Sequence, residues 1–284
     1  MKIIRTSQPL DDRERNASLF KGDLIIFSQI PAMLELQREM DGLIRAHLGD
    51  RASLSDLFRS DLQRFAAEMI LLQTSFYKTA RMRDLFKEAL EQSGMSIQHN
   101  YADKLFLRCV PPTRDSNSQF RGSIGYHRDT WGSNIQHQIN WWSPIYPISD
   151  GNTLTFYPHY WSTPVANTTA DWSFEAFRRA RQRAQAKSVD AQIDYPYAPQ
   201  AVEVVSDEGV NLLLDPGDLL CFSSAHLHGS SAESRTGFRF NLEMRSFGEE
   251  DIDRDTPPEN VDNAQSQPSY HWFNRISDGA KYSQ

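Results

Sequence analysis

Apolar residues recur at helical spacing through the N-terminal third of the chain, between residues 32 and 92. Leu36 and Met40, for example, lie four positions apart, which places their side chains on one face of an α-helix. Residues 56–72 and 81–90 repeat the same spacing. The pattern predicts a helical region, and we expect its helices to pack on the outside of a sheet.

Short apolar or alternating runs bounded by turn residues dominate the rest of the chain and predict strands. The predicted strands are residues 23–27, 104–110, 135–142, 153–157, 202–205, 210–214, 219–222 and 238–247. Many short strands joined by regular turns are typical of a β-sandwich or β-barrel. The sequence therefore predicts an α+β protein with a mainly β core.

Two segments depart from the strand pattern. Residues 172–187 have helical spacing with four arginines, and we expect a solvated charged face there, with a role as a lid or as an anion receptor as the alternative. Residues 249–268 are polar and rich in Pro, Asp and Asn, which predicts a loop, and the aromatic residues 270–273 then pack back onto the body. We expect a single domain, with a helical flank at 1–98, a core at 99–248 containing an insert at about 170–190, and a tail at 249–284.

Composition narrows the functional classes. A formal net charge of −7 leaves no broad basic surface for phosphates, which argues against a nucleic-acid partner. Cys109 and Cys221, the two cysteines, lie in apolar runs, so buried free thiols in a reducing compartment are expected rather than a disulfide. No apolar run is long enough for a signal peptide or a membrane span, so we expect a cytoplasmic protein. We expect it to be a monomer or a homodimer.

The chemistry-bearing pattern is His127-x-Asp129, followed about a hundred residues later by His228 and then by Arg239. In a strand, residues separated by one point to the same face, so His127 and Asp129 would present an imidazole and a carboxylate side by side. A second histidine from a distant strand would complete the two-histidine, one-carboxylate set of non-haem Fe(II) oxygenases. Arg239 adds a planar fork of donors that suits a carboxylate.

The ordered set of motifs from about residue 101 to 247 resembles the phytanoyl-CoA dioxygenase-like family of Fe(II)/2-oxoglutarate-dependent oxygenases. It comprises the Gly-containing loop at 122–125, His127-x-Asp129, a Pro-Gly-Asp turn, His228-Gly-Ser230 and Arg239. The resemblance implies a double-stranded β-helix (a jelly-roll or cupin-like fold) with flanking helices. One departure is local, because Pro158 is followed directly by His159 where the family has Gly-Ser between them.

The resemblance also assigns roles to residues, and these are expectations. His127, Asp129 and His228 are the catalytic metal ligands for Fe(II), with O2 as oxidant, and His226 is the rival to His228 for the second imidazole. Arg239 and Ser230 would bind the distal carboxylate of the co-substrate 2-oxoglutarate. For its other carboxylate, Arg108 and Lys104 are candidates.

The substrate is expected to be a small polar metabolite. If residues 135–142 form an alternating strand, Gln138, Asn140 and Trp142 share the face that would contact it, and Trp131 would add an aromatic wall. The family that the chain resembles includes tailoring enzymes of natural-product pathways, so the resemblance implies a biosynthetic intermediate. The carboxylate of Asp129 favours hydroxylation over halogenation, while desaturation, cyclisation and epimerisation stay open.

Two other functions are compatible with the same residues. The chain could be a non-catalytic metal-binding protein of jelly-roll fold. It could also be a cupin-type isomerase or dioxygenase that does not use 2-oxoglutarate, and such an enzyme has no need of a positioned arginine at 239.

Overall fold

The computed structural model describes residues 1–112, 125–187, 191, 193–204, 208–230, 237–254 and 256–283. Its helices are α1 (Asp12–Leu19), α2 (Pro31–Leu48), α3 (Arg51–Ser60), α4 (Leu62–Lys78), α5 (Ala80–Gln92), α6 (Thr130–Ser133), α7 (Phe174–Lys187) and α8 (Glu249–Arg254). Its strands are β1 (Ile3–Thr6), β2 (Leu24–Phe27), β3 (Asn100–Ala102), β4 (Phe106–Val110), β5 (Ile139–Pro144), β6 (Leu154–Phe156), β7 (Val210–Leu212), β8 (Leu219–Ser223), β9 (His228–Ser230), β10 (Arg239–Gly248) and β11 (Asn274–Arg275).

The predicted helical region is confirmed as α2 to α5. Helix α2 begins with Pro31, whose ring fixes the backbone near helical values, and ends at Leu48, followed by Gly49 with a positive φ (70°) that glycine adopts readily. Its buried residues Leu36, Met40 and Ile44 follow one another at four-residue intervals. That apolar face packs against α4 and α5, so hydrophobic burial stabilises the helices as one layer.

The strands form two sheets in the described part of the chain. The larger is eight-stranded with the order β1-β2-β8-β5-β10-β3-β11, and β4 pairs with β10 beside β3. All its pairings are antiparallel except that of β1 with β2. The smaller sheet has the order β7-β6-β9 and is antiparallel.

Alternation along the strands of the larger sheet fills two apolar layers. Trp141 and Cys221 point to the side covered by the helices, whereas their neighbours Trp142 and Phe222 point to the other side. There they pack against Phe156 and other apolar side chains of the smaller sheet. The larger sheet is therefore sandwiched between a helical layer and a second sheet.

Several strand predictions are confirmed with shorter bounds, and the turn before β8 is as predicted. Asp215 and Asp218 bracket that turn, with Gly217 at φ 94° and the backbone N–H of Asp215 donating to the Asp218 carboxylate. The strand predicted at 202–205 is wrong for its described residues, which form no ladder, and Val205 lies outside the described residues. Residues 122–124 of the predicted Gly-containing loop also lie outside them.

Three other predictions need correction. The segment that carries His127 and Asp129 is not a strand, because His127 forms a single β-bridge and Asp129 has a right-handed helical backbone that leads into α6. The strand predicted at 135–142 begins only at Ile139, since residues 136–137 form a turn. The tail predicted as loop contains α8, and β1 was not predicted.

The aromatic residues that follow the tail pack back as expected. Phe273 is fully buried against Tyr101 and Phe247, and Tyr270 and Trp272 lie partly buried beside them. No helix among the described residues combines the length and apolar character needed to cross a bilayer.

Candidate metal centre

The two histidines of the motif come together through the backbone. His127 and His228 form an antiparallel bridge in which each N–H donates to the other's carbonyl, at 2.9 and 3.0 Å. This pairing fixes the two side chains on the same side, with their ring centroids 4.4 Å apart. Asp129 reaches the same place from the N-cap position, directly before α6.

The three side chains form a candidate metal-binding arrangement. One ligand atom from each of His127, Asp129 and His228 lies within 4.8 Å of the other two. The Asp129 carboxylate is 4.0 Å from Nε2 of His127 and 3.4 Å from Nε2 of His228. These separations suit three ligands on one face of an ion, and two imidazoles with one carboxylate suit Fe(II).

Hydrogen bonds to backbone carbonyls orient both imidazoles. Nδ1 of His127 lies 2.7 Å from the carbonyl oxygen of Gly125, and Nδ1 of His228 lies 3.0 Å from that of His226. With the proton on each Nδ1, the lone pair of each Nε2 faces Asp129. Burial and the neighbouring His228 lower the pKa of His127 to about 4, so its ring is neutral, as a metal ligand must be.

The ligating carboxylate is held ionised by its surroundings. Burial alone would raise the pKa of Asp129, but the two histidines, Arg245 and Asn140 outweigh it and lower the pKa to about 2. Nη1 of Arg245 lies 3.6 Å from one carboxylate oxygen, and Nδ2 of Asn140 donates to the other at 2.6 Å.

A chain of three hydrogen bonds extends from Asp129 into the protein interior. Asn140 accepts through its amide oxygen from the Ser224 hydroxyl at 2.7 Å, and Ser224 accepts from Nε2 of Gln138 at 2.8 Å. Gln138 is fully buried. Asn140 lines the cavity, as predicted for a substrate contact, and it also orients the carboxylate of Asp129 directly. Gln138, predicted to share that face, lies away from the described cavity wall and orients Asp129 through Ser224.

Arg239 and Ser230 meet at the wall of the same cavity. The Arg239 guanidinium donates to the Thr153 carbonyl oxygen at 2.8 Å, to Asn241 Oδ1 at 3.2 Å and to Ser230 Oγ at 3.2 Å, and it lies 5.8 Å from the Trp142 ring. These contacts fix the orientation of the planar guanidinium group of Arg239. An arginine and a hydroxyl at hydrogen-bond distance from each other form a ready binding site for a carboxylate.

A cavity of about 420 Å³ contains both groups, and it falls within the size range of small-molecule sites. Its described wall includes the metal ligands and the Arg239–Ser230 pair. The remaining apolar and aromatic wall residues are Phe106, Trp141, Trp142, Leu154, Trp172, Phe174, Phe177, Tyr197, Ala198, Pro199, Phe222, Met244 and Trp272. The remaining charged or polar ones are Asp103, Lys104, Arg108, Arg128, Asn140, Arg178, Arg181, Glu243 and Arg245.

The other predicted site residues divide between the cavity and the interior. Trp142 and Arg108 line the cavity, and Arg108 forms a two-bond ion pair with Glu243 at 2.8 and 2.5 Å. Trp131 is fully buried outside the cavity wall and donates through Nε1 to Asp262 at 2.7 Å. His226 also lies outside the ligand cluster, with its ring 4.5 Å from that of Trp161.

Sequence reasoning missed Asp103, Glu243 and Arg245. Nε of Arg245 donates to the Asp103 carboxylate at 2.7 Å, and both side chains line the cavity. The signal was present in the last strand, where Arg239, Glu243 and Arg245 lie at intervals of four and two and therefore share a face. A polar series on one face of a buried strand indicates a cavity.

Comparisons with known proteins give distant structural similarities. No family model matches the sequence, and no curated protein matches it. The crystal structure of EvdO2 from Micromonospora carbonacea var. aurantiaca has a TM-score of 0.45 and 13% identity, with 95% of this chain and 98% of that chain covered. The epimerase SnoN, in complex with Fe3+, alpha ketoglutarate and nogalamycin RO, has a TM-score of 0.43 and 15% identity, with 95% of each chain covered.

EvdMO1 is similar over a smaller part of its length. The match has a TM-score of 0.33 and 14% identity, and covers 58% of this chain and 30% of that chain. All three TM-scores are below 0.5, and the functional assignment depends on the residues of the site.

Proposed function

We propose that this chain is an Fe(II)- and 2-oxoglutarate-dependent oxygenase of the phytanoyl-CoA dioxygenase-like type, with a single catalytic domain built on a double-stranded β-helix. The observation that carries the proposal is the convergence of His127, Asp129 and His228, whose ligand atoms lie within 4.8 Å of one another on the wall of a cavity. Two imidazoles and one carboxylate leave coordination positions open for a co-substrate and oxygen.

The second part of the proposal concerns the co-substrate. Arg239 and Ser230 line the same cavity as the ligands and hydrogen-bond to each other, so together they would bind the distal carboxylate of 2-oxoglutarate. The Arg108–Glu243 ion pair already occupies the guanidinium of Arg108, which makes Arg108 the weaker of the two arginines as a carboxylate anchor.

When bound, iron and 2-oxoglutarate supply the activation of O2, with succinate and CO2 as co-products of an oxidised substrate. The residues of this chain would bind the iron and 2-oxoglutarate, orient the metal ligands and shield the site from water. Asn140 fixes one oxygen of Asp129, and the carbonyls of Gly125 and His226 fix the imidazoles. The aromatic part of the cavity wall excludes water from the site.

We assign the reaction to hydroxylation of a small polar metabolite, a natural-product intermediate, in the cytoplasm. The ion pairs and aromatic rings of the cavity wall favour a polar, compact molecule over a long acyl chain. The two free buried thiols fit a reducing compartment. We propose a monomer or homodimer that needs no nucleic acid or membrane.

The test is anaerobic addition of Fe(II) and then 2-oxoglutarate to the purified protein. We expect a weak visible charge-transfer band, and 2-oxoglutarate-dependent O2 uptake once air is admitted. His127→Ala should abolish both signals. His137→Ala is the matched control, because His137 has the same 8% exposure as His127 but lies outside the ligand cluster.

Two outcomes would contradict the proposal. Absence of the band at saturating Fe(II) and 2-oxoglutarate, in a folded protein that still binds a divalent ion, would indicate a non-catalytic metal-binding protein. O2 uptake that is independent of 2-oxoglutarate would indicate a cupin-type dioxygenase or isomerase.

A further inference from the structure

The cavity wall has an excess of basic side chains although the chain as a whole is acidic. Seven Lys or Arg residues line the described part of the wall against three Asp or Glu residues, whereas the whole chain has a formal net charge of −7. In the proposed enzyme, the charges of a ferrous ion and a 2-oxoglutarate dianion cancel each other. The basic side chains of the wall that have no acidic partner in the protein are therefore left to face a substrate.

Most of the basic wall residues already have acidic partners or an assigned role. Arg108 pairs with Glu243, Arg245 with Asp103, and Arg128 with Asp262. Arg239 is assigned to 2-oxoglutarate. The basic wall residues that remain are Lys104 and two arginines of α7, Arg178 and Arg181.

Helix α7 presents one side to the cavity. Phe174, Phe177, Arg178 and Arg181 all line the wall, and their spacing of three, four and seven residues from the first places them on one face. Aromatic contacts hold this face in place: the rings of Phe174 and Trp272 are 4.3 Å apart, and those of Phe177 and Tyr197 are 5.0 Å apart.

Arg181 differs from the other arginines of this helix. Arg178 and Arg179 are exposed and pair with Glu175. Arg181 is half-buried at the cavity wall, and no carboxylate among the described residues lies within ion-pair distance of it. Partial burial strengthens the interaction of a guanidinium with an anion, because less water screens it.

From this arrangement we propose that the substrate carries an anionic group, a carboxylate or a phosphate, bound by Arg181, with the adjoining body of the substrate against the Phe174 and Phe177 rings. This inference names a substrate class for the proposed oxygenase and depends on that proposed function. The planar fork of arginine binds both kinds of oxyanion through paired hydrogen bonds, and the aromatic rings contribute apolar contact beside it.

The test uses three aromatic probes that share one ring system: 1-naphthyl phosphate, 1-naphthoate and the neutral 1-naphthalenemethanol. Each is titrated calorimetrically into anaerobic protein loaded with Fe(II) and 2-oxoglutarate, at low and high salt. We expect the wild-type protein to bind at least one charged probe about 10-fold more tightly than the alcohol at low salt. The charged probe that binds more tightly shows whether phosphate or carboxylate is the preferred group.

Arg181→Gln should bring the charged probes to the affinity of the alcohol and leave the alcohol unchanged, and Arg181→Lys should recover part of the difference. Arg183→Gln is the matched control, since Arg183 is an exposed arginine of the same helix outside the cavity wall. Equal affinities of the wild-type protein for charged and neutral probes would overturn the inference. So would equal losses in the 181 and 183 variants.

The same samples separate this inference from the proposed function. The charge-transfer band, recorded before each titration, reports Fe(II) and 2-oxoglutarate binding and should be present in all four proteins. If the wild-type protein has no band but Arg181 still discriminates the probes, the proposed oxygenase function fails and the anion site stands. If the band is present and the probes are not discriminated, only the anion site fails.

Discussion

Each proposed metal ligand is fixed by a hydrogen bond to a second group. Carbonyl oxygens orient the two imidazoles, and Asn140 orients the carboxylate of Asp129. These bonds cost little to form in the folded chain, because their partners are backbone atoms or buried side chains already in place. They reduce the number of side-chain conformations, so a metal ion meets ligands that are close to their binding positions.

The bond from Asn140 to Asp129 can be tested by substitution. Asn140→Ala removes the donor and breaks the link to Ser224 and Gln138, so we expect the affinity for Fe(II) or Co(II) to fall roughly 10- to 100-fold. Calorimetric titration under anaerobic conditions measures it. Asn152→Ala, at a similarly buried amide outside the cavity wall, should leave metal affinity unchanged, and equal losses in both variants would contradict the role of Asn140.

At Arg239 the shape of the side chain matters as well as its charge. Arg239→Lys keeps a cation but loses the planar fork, which hydrogen-bonds to Ser230 and lies near the Trp142 ring. We expect the KM for 2-oxoglutarate to rise about 10-fold or more, with a smaller change in kcat at saturating 2-oxoglutarate. Ser230→Ala removes one hydroxyl and should raise KM less. An unchanged KM in Arg239→Lys would exclude Arg239 as the anchor.

At the scale of elements, the alternation of residues 135–142 predicted a strand correctly only where neighbouring strands pair with it. Residues 135–138 alternate as regularly as 139–142, yet only the latter lie between β8 and β10 in the larger sheet. Asn134, with a left-handed backbone (φ 53°), ends α6, and the N–H of Gln138 donates to the carbonyl of Ile135 in a turn. Alternation in the sequence shows which side chains would share a face of a strand. Where the strand begins is decided by the neighbouring strands to which it can hydrogen-bond.

The same distinction separates the parts of the site that the sequence could predict. His127, Asp129 and His228 have side-chain chemistry and spacing that indicate a metal, and the structure brings them together although Asp129 is not in a strand. The chain of hydrogen bonds from Gln138 to Asn140 depends on Ser224, which lies in the turn after β8 and has no signal of its own in the sequence. The roles of Gln138 and Asn140 thus depend on contacts between distant segments, which the spacing of residues in the sequence does not show.

The C-terminal tail illustrates a long-range contact that can be tested. Asp262 accepts hydrogen bonds from Arg128, from Trp131 Nε1 and from the backbone N–H of Val165, next to the metal-binding segment. The Asp262 and Arg128 side chains are only 5% and 3% exposed. The Asp262 carboxylate thus attaches the tail to the segment that carries two of the proposed ligands, His127 and Asp129.

Asp262→Asn should therefore destabilise the fold. It leaves the buried guanidinium of Arg128 without its charged partner, and loss of one member of a buried pair costs about 3 kcal/mol. Urea denaturation followed by fluorescence measures the change in the free energy of unfolding. Asp253→Asn, at an exposed residue of α8, is the control and should change it by less than about 0.5 kcal/mol. Equal stability of the two variants would contradict the role of Asp262.

At the scale of the whole molecule, the helical layer and the smaller sheet close the larger sheet on both faces. Cys109 in β4 and Cys221 in β8 both point to the helical side and are fully buried there. The two strands lie far apart in the chain, but both thiols are buried in the same apolar layer. The accessibility of each thiol to a reagent therefore measures, at a different place, whether that layer is closed.

Thiol labelling can test that closure. Burial raises the pKa of both thiols, that of Cys221 to about 12, so at pH 8 almost no thiolate is present in the folded protein. We expect 5,5′-dithiobis(2-nitrobenzoate) to label neither cysteine in native buffer and both in denaturing urea, with N-acetylcysteine as the freely reactive control. Between these limits the labelling rate should follow the fraction unfolded measured by fluorescence, because the layer opens only when the sheet and helices separate. A cysteine that reacts in native buffer at a rate independent of urea would place its strand at a surface and contradict the two-sided burial of the larger sheet.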